Sequence, residues 1–495
     1  MRLSKALWNA FMASSLIACA GLLSNCKSAE PSIARTTIAL PFVDGAQFSR
    51  TPSPEDSEPG PAVAPELLTL DRAIEQALAA SPELEQIERR IDAAAEQVRQ
   101  AESEFYPRIV LSEEFNATNN PVYAMMNIIN QKRLTNDTNF NDPGEQQDFA
   151  SRVQAEWSLF SGGSDWKNRS AAINQRGATE AELQAARNRL VASVCETYHR
   201  WLQAIAFIGV AEKSLESART NQKLGEARLE VEMALPTEVL RLKTQSAEAE
   251  NNLLTAKTSA RKMGAAMERL LASAIRPSEI PDPRIVADYP PPSPNAPRES
   301  DGALVEQALG HRPEMESVRL LARAARDRVC AAKGSFLPRL SAGAQYWWDS
   351  ENFGLSEESW MASLQASWPV FEGGLRLSKV REAEAAYREM QAKGKQMALD
   401  IALEVHQAAL SVQEADDKIR VAAVQAETAR QALSETRNLY ENQVVAVDSL
   451  LQAEVAWDKA ETSYLAALFD GKIADALLRR ALGDFVDNTA KRAEQ

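Results

Sequence analysis

Histidine and cysteine, the side chains that most often do nucleophilic or metal chemistry, number only 3 and 4, and they form no catalytic or metal-binding set. The histidines are His199, His311 and His406. No two of them stand three or four residues apart, the spacing that puts two imidazole ligands on one helix face. Cys195 and Cys330 fall at non-equivalent places in the two halves of the chain, and read as small apolar helix residues rather than a disulfide or a metal pair. Gly162-Gly163 and Gly373-Gly374 read as turns, not phosphate loops. No nucleophile elbow and no catalytic constellation is present. The expectation is a protein with no cofactor, no metal and no catalytic residues; an enzyme would have only ordinary carboxylates behind it.

The remaining cysteines, Cys19 and Cys26, suit a different chemistry, acylation of a thiol after export. Arg2 and Lys5 precede a mostly apolar run from Ala6 to Ser24, so residues 1–25 read as a signal peptide. Asn9, Ser14 and Ser15 interrupt the run, and it is short for a membrane span. Cys26 sits at the end of the run but follows Asn25. Cys19 has the small Ala18 before it, as bacterial lipoprotein signals require. Either is a lipid-anchor candidate, and simple secretion after Ala18-Cys19-Ala20 is the alternative. Residues 26–65, with Pro52, Pro54, Pro59, Pro61 and Pro65, read as a disordered tether.

What positions the rest of the chain is a repeat. Phe105-Tyr-Pro-Arg-Ile109 returns as Phe336-Leu-Pro-Arg-Leu340, an offset of 231. Ala73-Ile-Glu-Gln-Ala-Leu78 returns as Leu304-Val-Glu-Gln-Ala-Leu309 at the same offset. Trp157-Ser-Leu-Phe-Ser-Gly-Gly163 returns as Trp368-Pro-Val-Phe-Glu-Gly-Gly374, now at 211, so about 20 residues are missing from the second copy. The segments expected are a first repeat over 66–276, a proline-rich linker over 277–300, a second repeat over 301–485 and a polar tail over 486–495. A formal net charge of −14 argues against a nucleic-acid partner, which needs cations to neutralise phosphates.

Within each repeat the hydrophobic period changes. Leu70, Ala73, Ile74, Ala77 and Leu78 share one helix face, with Thr69 as N-cap, and Pro82 begins a second helix running to Phe105. After Pro107 the period is two. Phe149, Val153, Ala155, Trp157 and Leu159 alternate with Arg152, Gln154, Glu156 and Ser158; Ser151 alone breaks the apolar set. Leu340 to Trp348 and Trp360 to Trp368 alternate likewise, and Ile109 and Leu111 begin a fourth strand. About ten residues is the length of a tilted membrane-crossing strand, and Trp157, Trp347, Trp348, Trp360 and Trp368 near strand ends suit an interfacial girdle. A soluble sandwich with buried aromatic faces is the alternative. Four strands cannot close a barrel, so other subunits must supply the rest. The long asparagine-rich connection between the first two strands, with Asp142-Pro-Gly144, reads as an external loop.

From Ser164 no proline interrupts the chain until Pro236, and none follows Gly374. A helix of about 65 residues would be about 100 Å long. Val194, Tyr198, Trp201, Ile205, Ile208 and Leu215 mark a coiled-coil seam on it. Pro236 is expected to break this helix, a second running from about Thr237 to Ser273; the matching break in the other half lies near Gln443 to Val447.

This arrangement resembles the TolC-like outer-membrane efflux proteins from Leu67 to Phe485. The likeness is carried by Leu68-Thr-Leu-x-x-Ala-Ile-x-x-Ala-Leu78, by the two Phe-x-Pro-Arg strand entries, by Leu159 to Gly163 and Val370 to Gly374 at the strand exits, and by Ala481-Leu-Gly483. The resemblance implies a mainly α fold with a β-barrel part: two repeats, each giving two strands and long coiled-coil helices, and a homotrimer closing a 12-stranded barrel above a periplasmic tunnel. It implies docking of an adaptor protein and an inner-membrane transporter. The family's Val-Gly-Leu-like adaptor-docking turns fall on Val231-Glu232-Met233 and Asn442-Gln443-Val444, with both glycines replaced. Its gate carboxylate and tyrosine fall on Glu238 and Tyr440, and its gate arginine on Val445. Asp448 stands one residue from the family's acidic constriction. Passive export through an outer-membrane duct of a tripartite efflux or type I secretion system is therefore expected. The competing reading is a non-transporting coiled-coil envelope protein, which has no use for paired amphipathic strands.

Overall fold

The computed structural model describes residues 67–281 and 301–483. The signal, the tether, both acylation candidates, most of the linker and the tail lie outside the described residues. The elements are α1 (Leu70–Ala80), α2 (Pro82–Ser103), β1 (Arg108–Thr118), α3 (Pro121–Asn130), β2 (Gln146–Phe160), α4 (Ser164–Glu230), α5 (Pro236–Leu271), then α6 (Asp301–His311), α7 (Pro313–Gly334), β3 (Arg339–Ser350), β4 (Glu357–Ser367), α8 (Leu375–Glu441) and α9 (Val447–Leu482). The repeat is kept residue for residue in the helices. α1 and α6 have 11 residues each, α2 and α7 have 22, α4 and α8 have 67, and α5 and α9 have 36. The residues missing from the second copy are accounted for by the connection between β1 and β2, which holds α3 and has no counterpart between β3 and β4.

The described residues divide into a strand unit, 102–166 and 333–376, and a helical unit, 67–101, 167–281, 301–332 and 377–483. In the strand unit the four strands form one antiparallel sheet in the order β1-β2-β3-β4. The register aligns like with like, as a period of two requires when each face has one environment. Leu111, Val153, Tyr346 and Trp360 form one rung across the apolar face, and Ile109, Ala155, Ala344 and Ala362 the next. Val110, Gln154, Gln345 and Met361 form a rung on the other face, beside the Arg152–Glu114 ion pair at 3.0 Å. Ser151, the exception in the alternation, lies opposite Glu113 and donates to its carboxylate. In the same rung follow Trp348 and Glu358, and Glu358 accepts from the Tyr346 hydroxyl at 2.6 Å. That polar rung interrupts the apolar face, which resumes beyond it with Phe115 and Phe149, ring centroids 4.7 Å apart. At the other end of the strands Trp157 Nε1 donates to the Phe105 carbonyl at 3.0 Å, and Trp368 Nε1 to the Phe336 carbonyl at 2.9 Å. The two recurring phrases therefore recur together because they hydrogen-bond to each other. Gly162, at φ +71°, leaves no room for a side chain, since a Cβ there would overlap the carbonyl oxygen of Gly334.

The connection read as an external loop contains α3, capped by the Asn120 side chain accepting from Val122 N at 3.0 Å with Pro121 at its first turn. α3 lies on the polar face of the sheet. Asn127 Nδ2 donates to Asn116 Oδ1 at 2.7 Å, Gln131 Nε2 to Asp148 Oδ1 at 2.9 Å, and Lys132 pairs with Glu357 at 3.1 Å. Beneath it Asp148, Ala150 and Asp349 are buried.

The helical unit has its main core where α1 meets α4, α5, α8 and α9. Ala73 and Ala77 pack with Val194, Tyr198, Trp201, Met267, Leu271, Ile419 and Phe469. The expected seam thus begins in this core, and Leu215 continues it in a separate cluster with Ala218 and Ala249. The Tyr198 hydroxyl donates to the Leu68 carbonyl at 2.9 Å, fixing the start of the described chain on α4. Cys195 is buried, as an apolar helix residue should be, but Cys330 is exposed on α7, which corrects that expectation for the second cysteine. α4 ends at Glu230, earlier than expected. Pro236 does not break it; it is the first residue of α5, where its missing N–H costs nothing.

His199 on α4 is held neutral: burial, and then the Lys472 ammonium of α9, push its pKa down to about 4, against a smaller upward pull from Asp475. The unfolded chain takes up this proton near pH 6.5 and the folded chain only near 4. Stability is therefore full above about pH 6.5 and falls as pH drops towards 4, by up to roughly 3 kcal/mol per chain. Denaturant midpoints measured against pH should show this slope, and His199→Gln should flatten it.

Candidate functional site

The two helical turns are built alike. α4 ends with Glu232 N donating to Leu229 O at 3.0 Å and Met233 N to Arg228 O at 2.8 Å. α8 ends with Gln443 N donating to Tyr440 O at 3.0 Å and Val444 N to Leu439 O at 2.9 Å. Both are Schellman closures, which place the residue after the cap in the left-handed region. Those residues are Glu232, φ +58°, and Gln443, φ +62°. The backbone thus keeps a glycine-type conformation at both positions and fills it with a longer side chain. Val231, Met233 and Val444 around them are exposed, Met233 and Val444 by 63% and 68%. Glu232→Gly and Gln443→Gly should each stabilise the chain by about 0.5–1 kcal/mol, left-handed strain relieved less the glycine's entropy. Guanidinium unfolding midpoints are the check; a fall in midpoint would mean that the long side chains hold the turns.

Below the turns the two hairpins share a small core. Leu242 of α5 packs with Leu433 and Tyr440 of α8 and Val447 and Leu450 of α9, and Leu224 and Val445 lean on it. Gly225 lets α4 and α5 approach this closely, because a Cβ there would overlap the Leu242 side chain. Val445, standing where the resemblance implied an arginine, belongs to this apolar cluster.

The expected gate residues have separate places. Tyr440 is buried in the cluster. Glu238 accepts from Leu235 N at 3.4 Å and so caps α5, its own helix. Asp448, in the first turn of α9, pairs with Arg241 of α5, and the carboxylate raises the pKa of that guanidinium through a hydrogen bond and direct attraction. Both members of the pair are more than half exposed. A second tie runs from Arg228 of α4. Its guanidinium stacks 4.8 Å from the Tyr440 ring and donates to the carbonyls of Tyr440, at 3.4 Å, and Glu441, at 3.0 Å. A cation at the C-terminus of α8 suits both the unpaired carbonyls and the helix dipole. Residue order alone does not single out Arg228 or Arg241. Their one signal was that they are cations flanking turns otherwise rich in carboxylates.

The arrangement offers hydrogen bonds, ion pairs and apolar contact, all of which can be made and broken by moving one hairpin past the other. Among the described residues no cluster of histidine, cysteine or carboxylate groups could hold a metal ion.

A family model described as outer membrane efflux protein matches residues 73–273 and 304–484. No curated protein sequence matches. Among solved structures, the outer membrane protein VceC of Vibrio cholerae is 21% identical, with a TM-score of 0.69 over 84% of this chain and 96% of that one. The CmeC outer membrane channel of Campylobacter jejuni is 15% identical, TM-score 0.70, over 86% and 88%. The open state of the MtrE outer membrane channel of Neisseria gonorrhoeae is 17% identical, TM-score 0.66, over 84% and 88%.

Proposed function

Because the chain belongs to the outer membrane efflux protein family, we propose that it is one protomer of a homotrimeric exit duct, standing in the outer membrane and reaching into the periplasm. The observation that carries this is the sheet. Among the described residues β1 and β4 each leave one edge without a partner, one face is largely apolar with the tied tryptophans at one end, and the other face is largely polar. Unpaired edges are not tolerated in lipid, and three such sheets joined edge to edge leave none. A second support is the exposed stripe Leu399, Leu403, Leu410, Val421 and Val424 along α8, an apolar face for the neighbouring copies to cover.

The turns are the duct's closing end. Val231, Glu232, Met233, Asn442, Gln443 and Val444 offer a surface for a periplasmic adaptor, and an inner-membrane transporter would supply the energy. The latch in this chain is the Arg241–Asp448 pair with the Arg228–Tyr440 stack; Glu238 shapes the turn by capping α5. Small molecules or proteins are the cargo, moved without chemistry. The test is a trimeric mass in detergent, heat-modifiable gel mobility and discrete conductance steps in planar bilayers. A monomer soluble without detergent would overturn the reading.

A further inference from the structure

β4 stops short of the strand it repeats. β2 runs to Phe160, but β4 ends at Ser367, and the equivalent residues 368–371 lie in no strand. Val370 and Phe371 there are 87% exposed each, whereas their equivalents Leu159 and Phe160 are 41% and 46% exposed. The difference has a local cause. Residues 157–160 lie beyond the start of β1 and are strand because β3 flanks them, with Trp157 opposite Ala342 and Phe160 opposite Leu340. Residues 368–371 lie beyond the start of β3 in the same way, and no strand of the chain itself flanks them. β1 is the equivalent of β3, so the strand that would flank them is the β1 of a second copy.

We propose that in the trimer β4 runs on to Phe371 against β1 of the next copy, in the register that β2 and β3 already show. The inference rests on the trimeric duct reading and supplies its register. Carried through the offsets of 211 and 231, the β2–β3 pairs place Trp368 opposite Leu111, Leu364 opposite Phe115 and Ala362 opposite Ala117. Those side chains belong to the apolar face. Ser367 falls opposite Ser112, Gln365 opposite Glu114 and Ser363 opposite Asn116, on the polar face. A slip of one residue would set apolar against polar along the whole seam. The irregularity in the ladder fits as well. The β2–β3 register shifts between Ser158 and Phe160, and the equivalent of Ser158 is Pro369, which has no N–H to give and is tolerated at a bulge. Beyond the bulge Phe371 falls opposite Ile109. Without the continuation, the β1 edge from Ile109 to Leu111 would stay open in lipid, which is not tolerated.

The test uses the full-length chain carrying Cys330→Ser, extracted as the trimer, with that parent as blank. Two double variants are oxidised: Ser363→Cys with Asn116→Cys on one face, and Ala362→Cys with Ala117→Cys on the other. Successive pairs in an antiparallel ladder alternate between wide and close, so one of the two is the close kind that a disulfide needs. Covalently linked chains are expected from that variant. None are expected from the slipped controls, Ser363→Cys with Glu114→Cys and Ser363→Cys with Thr118→Cys. In the parent trimer the backbone amides of Trp368, Val370 and Phe371 should exchange hydrogen within about ten-fold of the rates at Trp157, Leu159 and Phe160. Links in a slipped control, or in no variant although the trimer forms, overturn the register and leave the duct standing. Fast exchange at Val370 and Phe371 overturns the continuation of β4, whether or not any variant assembles. A parent that forms no trimer overturns the duct reading, and the register with it.

Discussion

Gly162→Ala is expected to destabilise the strand unit by about 3–5 kcal/mol, enough to leave little heat-modifiable trimer. Two costs add. A side chain in the left-handed region costs about 1–2 kcal/mol, and φ at this residue is +71°. The new Cβ also overlaps the carbonyl oxygen of Gly334, a backbone atom that cannot rotate away. The neighbouring Gly163, φ +81°, has open space around it, so Gly163→Ala should carry the conformational cost alone. Gel mobility of unheated samples and urea midpoints in detergent separate the two. Equal effects would mean that the close approach of Gly162 to the Gly334 carbonyl adds nothing to the conformational cost.

Asp448→Asn and Arg241→Gln are each expected to raise the fraction of time the duct is open, on the order of ten-fold, with no loss of trimer. An exposed ion pair contributes little to folding, and this one is exposed on both sides. Its leverage is geometric. It joins α5 to α9, as Arg228 joins α4 to α8, so in the proposed duct each protomer would have two ties between the hairpins that must separate on opening. Arg228→Ala should add to the effect, because it frees the carbonyls of Tyr440 and Glu441 and unstacks the ring. The double variant Arg241→Asp, Asp448→Arg restores the pair and should restore closure. Bilayer recordings that find the closed level unchanged in all of these variants would remove the turns from gating.

Much of this architecture could be read from residue order. The offsets of 231 and 211 gave two repeats, and their difference proved to be one insertion. The alternation from Phe149 to Leu159 gave a strand, its faces and even its defect, for Ser151 departs from the pattern where Glu113 stands opposite. Three things could not be read. α3 is apolar on nearly every side, so Pro121 to Asn130 carries no period; its helix follows from the Asn120 cap and the sheet beneath it. Pro236, which cannot continue a helix, marks the end of α4 in the sequence, yet the backbone turns earlier at Glu232 without a glycine to mark it. The ties of Arg228 and Arg241 join residues more than 200 positions apart, a separation at which charge order in one chain says nothing about pairing.

The tied tryptophans have a consequence for the lipid. From Leu340 to Trp348, β3 rises about 27 Å, or about 20 Å along the bilayer normal at a tilt near 40°. In the proposed barrel these hydrogen bonds to backbone would set the depth of Trp157 and Trp368, so this thickness could not be adjusted by reorienting an indole. A closed ring of strands cannot shorten itself by leaning as a single helix can. Any mismatch must be taken up by the acyl chains around it, and the protein should gather in thin, short-chain bilayers and deform thick ones.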